Sequence, residues 1–155
     1  MNLSRKNPPA RRAAVTDAPA PATPALAGRA GEIAAAWAPT GGRVLLGLVL
    51  AWFGYHELVQ PGLWTGYVPL VSPGSALAAL AVLAHGWLLL VLATALICGL
   101  VTRVAAAVAA VLLAEIVISL IAVGGLSDLT MRDVGVFGLA VCLTGQHPQR
   151  LVLRR

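Results

Sequence analysis

Seven residues with polar or ionisable side chains lie within or beside long apolar stretches of this chain. Carboxylates and imidazoles in such surroundings can exchange protons near neutral pH, and together with arginine and hydroxyl groups they can hold a polar headgroup by hydrogen bonds. Their types and positions predict a candidate polar pocket, which we call the polar belt. Its members are His56, Glu57, His85, Glu115, Ser119, Arg132 and Asp133.

The polar belt occupies a narrow layer when it is measured along the predicted helices. At about 1.5 Å per residue, each of four helices places a belt residue roughly 18 to 24 Å from its cytoplasmic end. A charge near the bilayer centre costs about 3 kcal/mol on insertion scales. We therefore predict that Arg132 pairs with Glu115 or Glu57. His85 is expected to be a second neighbour, and Ser119 to add a hydroxyl.

Two interpretations of the polar belt remain open at the level of sequence. In the first, the belt is a network that locks the register of the helices, each contact contributing about 0.6 kcal/mol. In the second, it lines a small pocket, open towards the outer face, that binds a polar headgroup or passes protons. His56 lies near a helix end, so for this residue the alternative is an imidazole that simply faces the lipid headgroups.

The elements that position these residues are transmembrane helices. The chain has 155 residues, of which 59% are hydrophobic and 11% charged, and its mean hydropathy is +0.85. Soluble domains contain about 25% charged residues. Residues 80–123 form two long apolar runs joined by a short turn at residues 101–103, a pattern that predicts an antiparallel transmembrane hairpin.

One further span on each side of this hairpin completes an all-α, integral membrane four-helix bundle. The predicted spans cover residues 43–60, 76–100, 103–123 and 129–145. Pro61 should end the first span and Asp128 should cap the last one. Gly135 and Gly138 in the last span are expected to let a neighbouring helix approach closely.

The two ends of the chain differ from the four-span domain at residues 43–146. Residues 1–39 are rich in alanine, proline and arginine, which predicts a disordered basic tail. An alternative for residues 26–37 is a short helix on the membrane surface. Residues 147–155 form a basic C-terminal tail. Ten of the eleven basic residues lie on the side of the termini and the 101–103 turn, so both termini should be cytoplasmic.

Several functional classes find no support in the residue pattern. The basic residues cluster at helix ends and in the tails, which predicts the lipid bilayer as partner and not nucleic acid. No zinc-binding spacing, GxGxxG, P-loop or Ser/His/Asp set is present, so we predict no metal site and no evident cofactor. Two cysteines, Cys98 and Cys142, allow neither a disulfide framework nor a CxxC motif.

The order of motifs over residues 43–145 resembles the DoxX family of small bacterial membrane proteins. The resemblance is carried by the opening RVLLGLVLAWFGYHEL, the aromatic loop LWTGYVP, the G-L-x-T-R turn at residues 99–103 and the R-D start of the last span at residues 132–133. Many members of that family have a lysine near the end of the first span. This chain has Tyr-His-Glu at residues 55–57 instead, which leaves any lysine-dependent role without its residue.

The resemblance implies a protein of the bacterial cytoplasmic (inner) membrane with a link to redox chemistry. Some DoxX proteins are the membrane subunit of a thiosulfate:quinone oxidoreductase, and others are linked to detoxification complexes. By that analogy the chain would work with a redox partner subunit and bind quinone, and Trp52, Phe53 and Trp87 are candidates to line the quinone site. The alternative for these aromatics is plain packing.

Two other functions fit the same sequence. One is a non-enzymatic membrane scaffold or accessory subunit. The other is a small proton-coupled transporter, which would need a homodimer to form a path and which lacks the broken mid-membrane helices of known carriers.

Overall fold

The computed structural model describes residues 23–146, with side chains from residue 28. The four long helices are α1 (Thr23–Val59), α2 (Ala76–Cys98), α3 (Thr102–Gly124) and α4 (Asp128–Thr144). Two short 3₁₀ helices, Pro61–Leu63 and Thr65–Tyr67, lie between α1 and α2. The predicted all-α class is confirmed. The predicted tail segments at residues 1–22 and 147–155 lie outside the described residues.

Three of these helices are long and apolar enough to cross a membrane. They span Gly28–Val59, Ala76–Cys98 and Thr102–Gly124, and they correspond to the first three predicted spans. Helix α4 has 17 residues. At about 1.5 Å per residue it is roughly 25 Å long, somewhat less than the hydrocarbon thickness of a typical bilayer.

Helix α1 begins earlier than the sequence pattern predicted. Residues 23–39 were expected to be disordered, but they form the first part of α1, with Pro39 inside the helix. Proline removes one intrahelical hydrogen bond, yet alanine is the strongest helix former and is frequent here. The prediction of disorder is therefore wrong for residues 23–39. They are continuous with the first predicted span and do not form the separate short helix that was the alternative for residues 26–37.

The turns between helices are set by local backbone chemistry. Helix α2 ends at Gly99, whose φ of 72° is readily adopted by glycine, and the N–H of Leu100 bonds to the carbonyl of Ala95 at 2.8 Å. Helix α4 is capped by Ser127, whose side chain accepts a hydrogen bond from the N–H of Thr130. The prediction of Asp128 as the cap was wrong by one residue, and Asp128 instead occupies the first turn.

The four helices close a ring. Helix α1 packs along α2 and α3 packs along α4, with smaller contacts between α2 and α3 and between α1 and α4. Leucine and alanine side chains from all four helices fill the core between them. At the end of the bundle away from the 60–75 loop, the guanidinium of Arg103 donates to the carbonyl of Gln146 at 2.9 Å.

The closest helix contact lies between α1 and α2. A Cβ added at Gly54 would stand 2.7 Å from the carbonyl oxygen of Gly86, and one at Gly47 would stand 2.7 Å from the side chain of Ile97. Small residues at such positions let two membrane helices approach backbone to backbone. Gly135 and Gly138, which we predicted to serve this purpose, have no atom within 4 Å of an added Cβ. That prediction is wrong.

Candidate functional site

A cavity of about 330 Å³ lies between the four helices at the end of the bundle covered by the 60–75 loop. Six of the seven polar-belt residues line it, and they come from all four helices. Apolar side chains of the core and the loop form the rest of its wall. The polar lining residues are Glu57, His85, Glu115, Ser119, Arg132 and Asp133.

The best-defined polar contact in the cavity joins α1 to α2. The Nδ1 atom of His85 lies 2.8 Å from Oε2 of Glu57, and the two side chains are 20% and 7% exposed. The close helix approach places this pair. A Cβ added at Gly86, the neighbour of His85, would lie 3.1 Å from the Cβ of Glu57. A larger residue at position 86 would hold the two functional groups further apart.

The second nitrogen of His85 is the unusual atom of this site. Nε2 is shielded from solvent and has no hydrogen-bond partner among the residues that the structure describes. An ionised Glu57 accepts hydrogen bonds only, so the nitrogen that faces it, Nδ1, carries the proton of the ring and Nε2 is left without a bond to any described residue. Buried polar atoms left without a partner cost free energy, about 1 to 3 kcal/mol each.

Arg132 does not pair as the sequence suggested. Its Nε donates to Oδ1 of the adjacent Asp133 at 2.9 Å, and no salt bridge connects it to Glu115 or Glu57. The guanidinium also lies over the ring of Phe53, with Cζ 5.0 Å from the ring centroid, a cation–π geometry. The predicted pairing was wrong because Asp133, the next residue in α4, has a buried carboxylate, 8% exposed, that Arg132 contacts directly.

Glu115 is the one cavity carboxylate that neither hydrogen bond nor salt bridge connects to another described residue. It is exposed, and it lies close enough to His85 to interact with it electrostatically. Ser119, one helical turn further along α3, is buried and also lines the cavity. The predicted polar residues therefore lie around one cavity, but as two separate pairs, Glu57 with His85 and Arg132 with Asp133, beside the carboxylate of Glu115.

Aromatic rings from α1 and from the loop form one side of the cavity. The ring centroids of Phe53 and Trp64 are 6.1 Å apart in an edge arrangement, and the ring centroids of Trp64 and Tyr67 are 6.4 Å apart. We call these three residues the aromatic wall. The buried hydroxyl of Thr65 fixes the loop, since it donates to the carbonyl of Gly62 and accepts from the N–H of Gly74.

The sequence pattern did not identify Trp64 and Tyr67 as lining residues. Their positions in an uncharged loop between Pro61 and Pro69 suggested rings at the headgroup level. In the structure both residues line the cavity, and Tyr67 is also exposed. A loop rich in aromatic residues and free of charges was the only available signal.

Three residues of the predicted sites lie outside the main cavity. His56 bonds through Nδ1 to the carbonyl of Trp52 at 2.8 Å and stacks on the same residue, with ring centroids 4.4 Å apart. Trp52 and Trp87 are 64% and 63% exposed on the outer surface of the bundle. Trp52 instead lines a shallower groove with Phe53 and Arg132. Of the three aromatics proposed to line a quinone site, Phe53 alone reaches the cavity.

Metal ligation is not a feature of the described cavity. Within residues 23–146, no group of three His, Cys, Asp or Glu side chains is arranged to hold a metal ion.

Comparisons of the chain with protein-family models, with curated proteins and with solved structures found no match.

Proposed function

We propose that this chain is a four-span membrane subunit that binds a quinone in the cavity, as part of a redox complex of the bacterial cytoplasmic membrane. The observation that carries the proposal is the imidazole of His85, held by Glu57 beside a 330 Å³ cavity with Nε2 left unbonded. Cavities that hold small molecules begin at about 300 Å³ and are mostly apolar with a few polar groups that fix orientation.

The chemistry of the His85–Glu57 pair suits both redox forms of a quinone. A protonated Nε2 donates a hydrogen bond to a quinone carbonyl, whereas a neutral Nε2 accepts one from the hydroxyl of a hydroquinone. Reduction of the ring by two electrons requires two protons, and the imidazole beside the ring is suited to supply or receive one of them. The proposal assigns the electron-carrying centre to a partner subunit.

The fold and the distribution of charges support a particular membrane arrangement. In the proposal, α4 is the fourth span, with local thinning of the bilayer or tilt accommodating its 17 residues. Both termini are then cytoplasmic, as the distribution of basic residues favours. The cavity opens in the outer half of the bilayer, where a quinone can enter from the lipid. The resemblance of residues 43–145 to the DoxX family supports the same proposal.

The test is a quinone titration of the purified protein in a neutral detergent. Short-chain quinone should quench the fluorescence of Trp64, which lines the cavity, with a saturable dependence on concentration. His85→Gln should weaken binding about tenfold, the loss expected for one hydrogen bond to a buried, charge-paired group. His56→Gln is the matched control, because His56 lies outside the cavity and should bind quinone as the wild type does.

Two results would contradict the proposal. One is wild-type protein that shows no saturable quinone binding. The other is equal affinity in the His85→Gln and His56→Gln proteins while both remain folded by circular dichroism. Purification from the native membrane adds an independent measurement, since a redox partner subunit should co-purify with the chain if the complex exists.

A further inference from the structure

The charged groups that line the cavity do not balance one another. Three carboxylates line the cavity, against one arginine and one histidine. Two of the carboxylates have a direct partner, since Glu57 contacts His85 at 2.8 Å and Asp133 contacts Arg132 at 2.9 Å. Glu115 is left without such a contact among the described residues. The cavity therefore has an excess of negative charge at α3.

The position of Glu115 makes that charge costly without an occupant. It lies within helix α3, one of the three helices long and apolar enough to span a membrane. A carboxylate at such a depth is expected to meet a cation, because the surrounding lipid offers it no hydrogen bonds. Glu115 is exposed and lines the cavity, so a ligand can reach it without any helix moving.

The aromatic wall is suited to the same charge. Phe53, Trp64 and Tyr67 form a continuous series of rings, and the 3₁₀ helix that contains Tyr67 contacts α3, the helix of Glu115. Aromatic faces attract cations, above all quaternary ammonium groups. The guanidinium of Arg132 over Phe53 already makes one such contact. Because Arg132 is paired with Asp133, its charge does not cancel that of Glu115.

We propose that the cavity binds a lipophilic ammonium ion, with the cationic nitrogen against Glu115 and its apolar substituents on the aromatic wall. An apolar cavity with one unpaired carboxylate favours such a ligand over an anion, which the carboxylates repel, and over an inorganic cation, which would need more oxygen ligands. This inference does not rest on the quinone proposal, since that proposal depends on His85 and this one on Glu115.

The test uses two probes of nearly the same shape that differ in charge. Phenyltrimethylammonium carries the cation, and tert-butylbenzene replaces its nitrogen by carbon. Binding is followed by tryptophan fluorescence of the full chain in neutral maltoside detergent. The ammonium should bind at least about tenfold more tightly than its neutral counterpart, and Glu115→Gln should remove most of that difference. Glu32→Gln, which changes an exposed carboxylate far from the cavity, should bind both probes as the wild type does.

A second pair of variants tests the aromatic wall independently of Glu115. Trp64→Leu should weaken ammonium binding several-fold, measured by equilibrium dialysis, while Trp87→Leu, on the outer surface, should leave it unchanged. The proposal is overturned if the two probes bind equally, or if Glu115→Gln binds the ammonium as tightly as the wild type. Failure of the quinone titration would leave these measurements unaffected, because they involve different probes and different variants.

The source of the ammonium group is distinguished by adding lipid. Phosphatidylethanolamine added to the detergent solution should displace the probe if the natural occupant is a lipid headgroup. Phosphatidylglycerol, which has no ammonium group, is the control. If neither lipid displaces the probe, the occupant is a free lipophilic amine. Displacement by phosphatidylglycerol alone would contradict the ammonium site.

Discussion

The substitution Gly54→Ala tests how the α1–α2 contact builds the site. The new methyl group would lie 2.7 Å from the carbonyl oxygen of Gly86 and 3.1 Å from the Cβ of Leu89. Ordinary contacts begin at 3.4 Å, so the two helices must separate by about 0.7 Å locally. An equal separation at Glu57 and His85 would extend their 2.8 Å contact beyond hydrogen-bond range.

The expected loss of stability combines opposing effects. Overpacking of a close contact costs about 1 to 3 kcal/mol. Loss of a hydrogen bond between partly buried, charged groups costs about 1.5 to 3 kcal/mol more, and the higher helix propensity of alanine returns up to about 1 kcal/mol. We expect a net decrease of roughly 1.5 to 5 kcal/mol in the free energy of unfolding. It is measured by denaturation in mixed micelles.

The matched control is Gly135→Ala in α4. No atom lies within 4 Å of the added Cβ at this position, so the substitution should leave stability unchanged or raise it by up to about 1 kcal/mol. A double-mutant cycle adds a specific readout. Glu57→Gln should cost less in the Gly54→Ala background than in the wild type, because its contact is already broken there. Equal stability of the two glycine variants, with additive effects of Glu57→Gln, would refute the reasoning.

Four further predictions concern the cavity, the 60–75 loop and the membrane topology. Arg132→Ala should lower the free energy of unfolding by several kcal/mol, because it leaves the buried carboxylate of Asp133 unpaired, and Asp133→Asn in the same protein should restore part of the loss. Glu115→Gln should not lower the free energy of unfolding in chemical denaturation, since no hydrogen bond or salt bridge is lost and a costly charge is removed, so a decrease of more than about 0.5 kcal/mol would be the contrary result. Thr65→Val removes two hydrogen bonds and should speed proteolysis of the 60–75 loop, a rate equal to wild type being the contrary result. A cysteine at Gly66, which is exposed in the loop, should react with a membrane-impermeant reagent from outside intact cells, whereas labelling only after permeabilisation would contradict the proposed topology.

The sequence alone was sufficient to place α2, α3 and α4 and the end of α1, but not the start of α1. Apolar runs longer than about 18 residues have few stable conformations other than helices in lipid. The observed α2 and α3 lie within two residues of the predicted spans 76–100 and 103–123 at each end. The sequence was misleading at residues 23–39, where the prolines suggested disorder although the frequent alanines favour a helix.

The layer of polar residues was also predictable, since depth along a helix depends only on the count of residues from its end. This is why six belt residues line a single cavity. The count does not determine the direction in which a side chain points. His56 and Glu57 are adjacent in sequence, but one lies against Trp52 on the outer surface while the other faces the cavity.

The pairing of charges and the lining of the cavity were decided by tertiary structure. Glu57 and His85 are 28 residues apart in the chain. They are in contact because Gly54 and Gly86 let α1 and α2 approach closely. Trp64 and Tyr67 line the cavity from the 60–75 loop, and the hydroxyl of Thr65 holds that loop in place through its bonds to Gly62 and Gly74. Each outcome depends on atomic distances between helices, which the periodicity of a single helix does not contain.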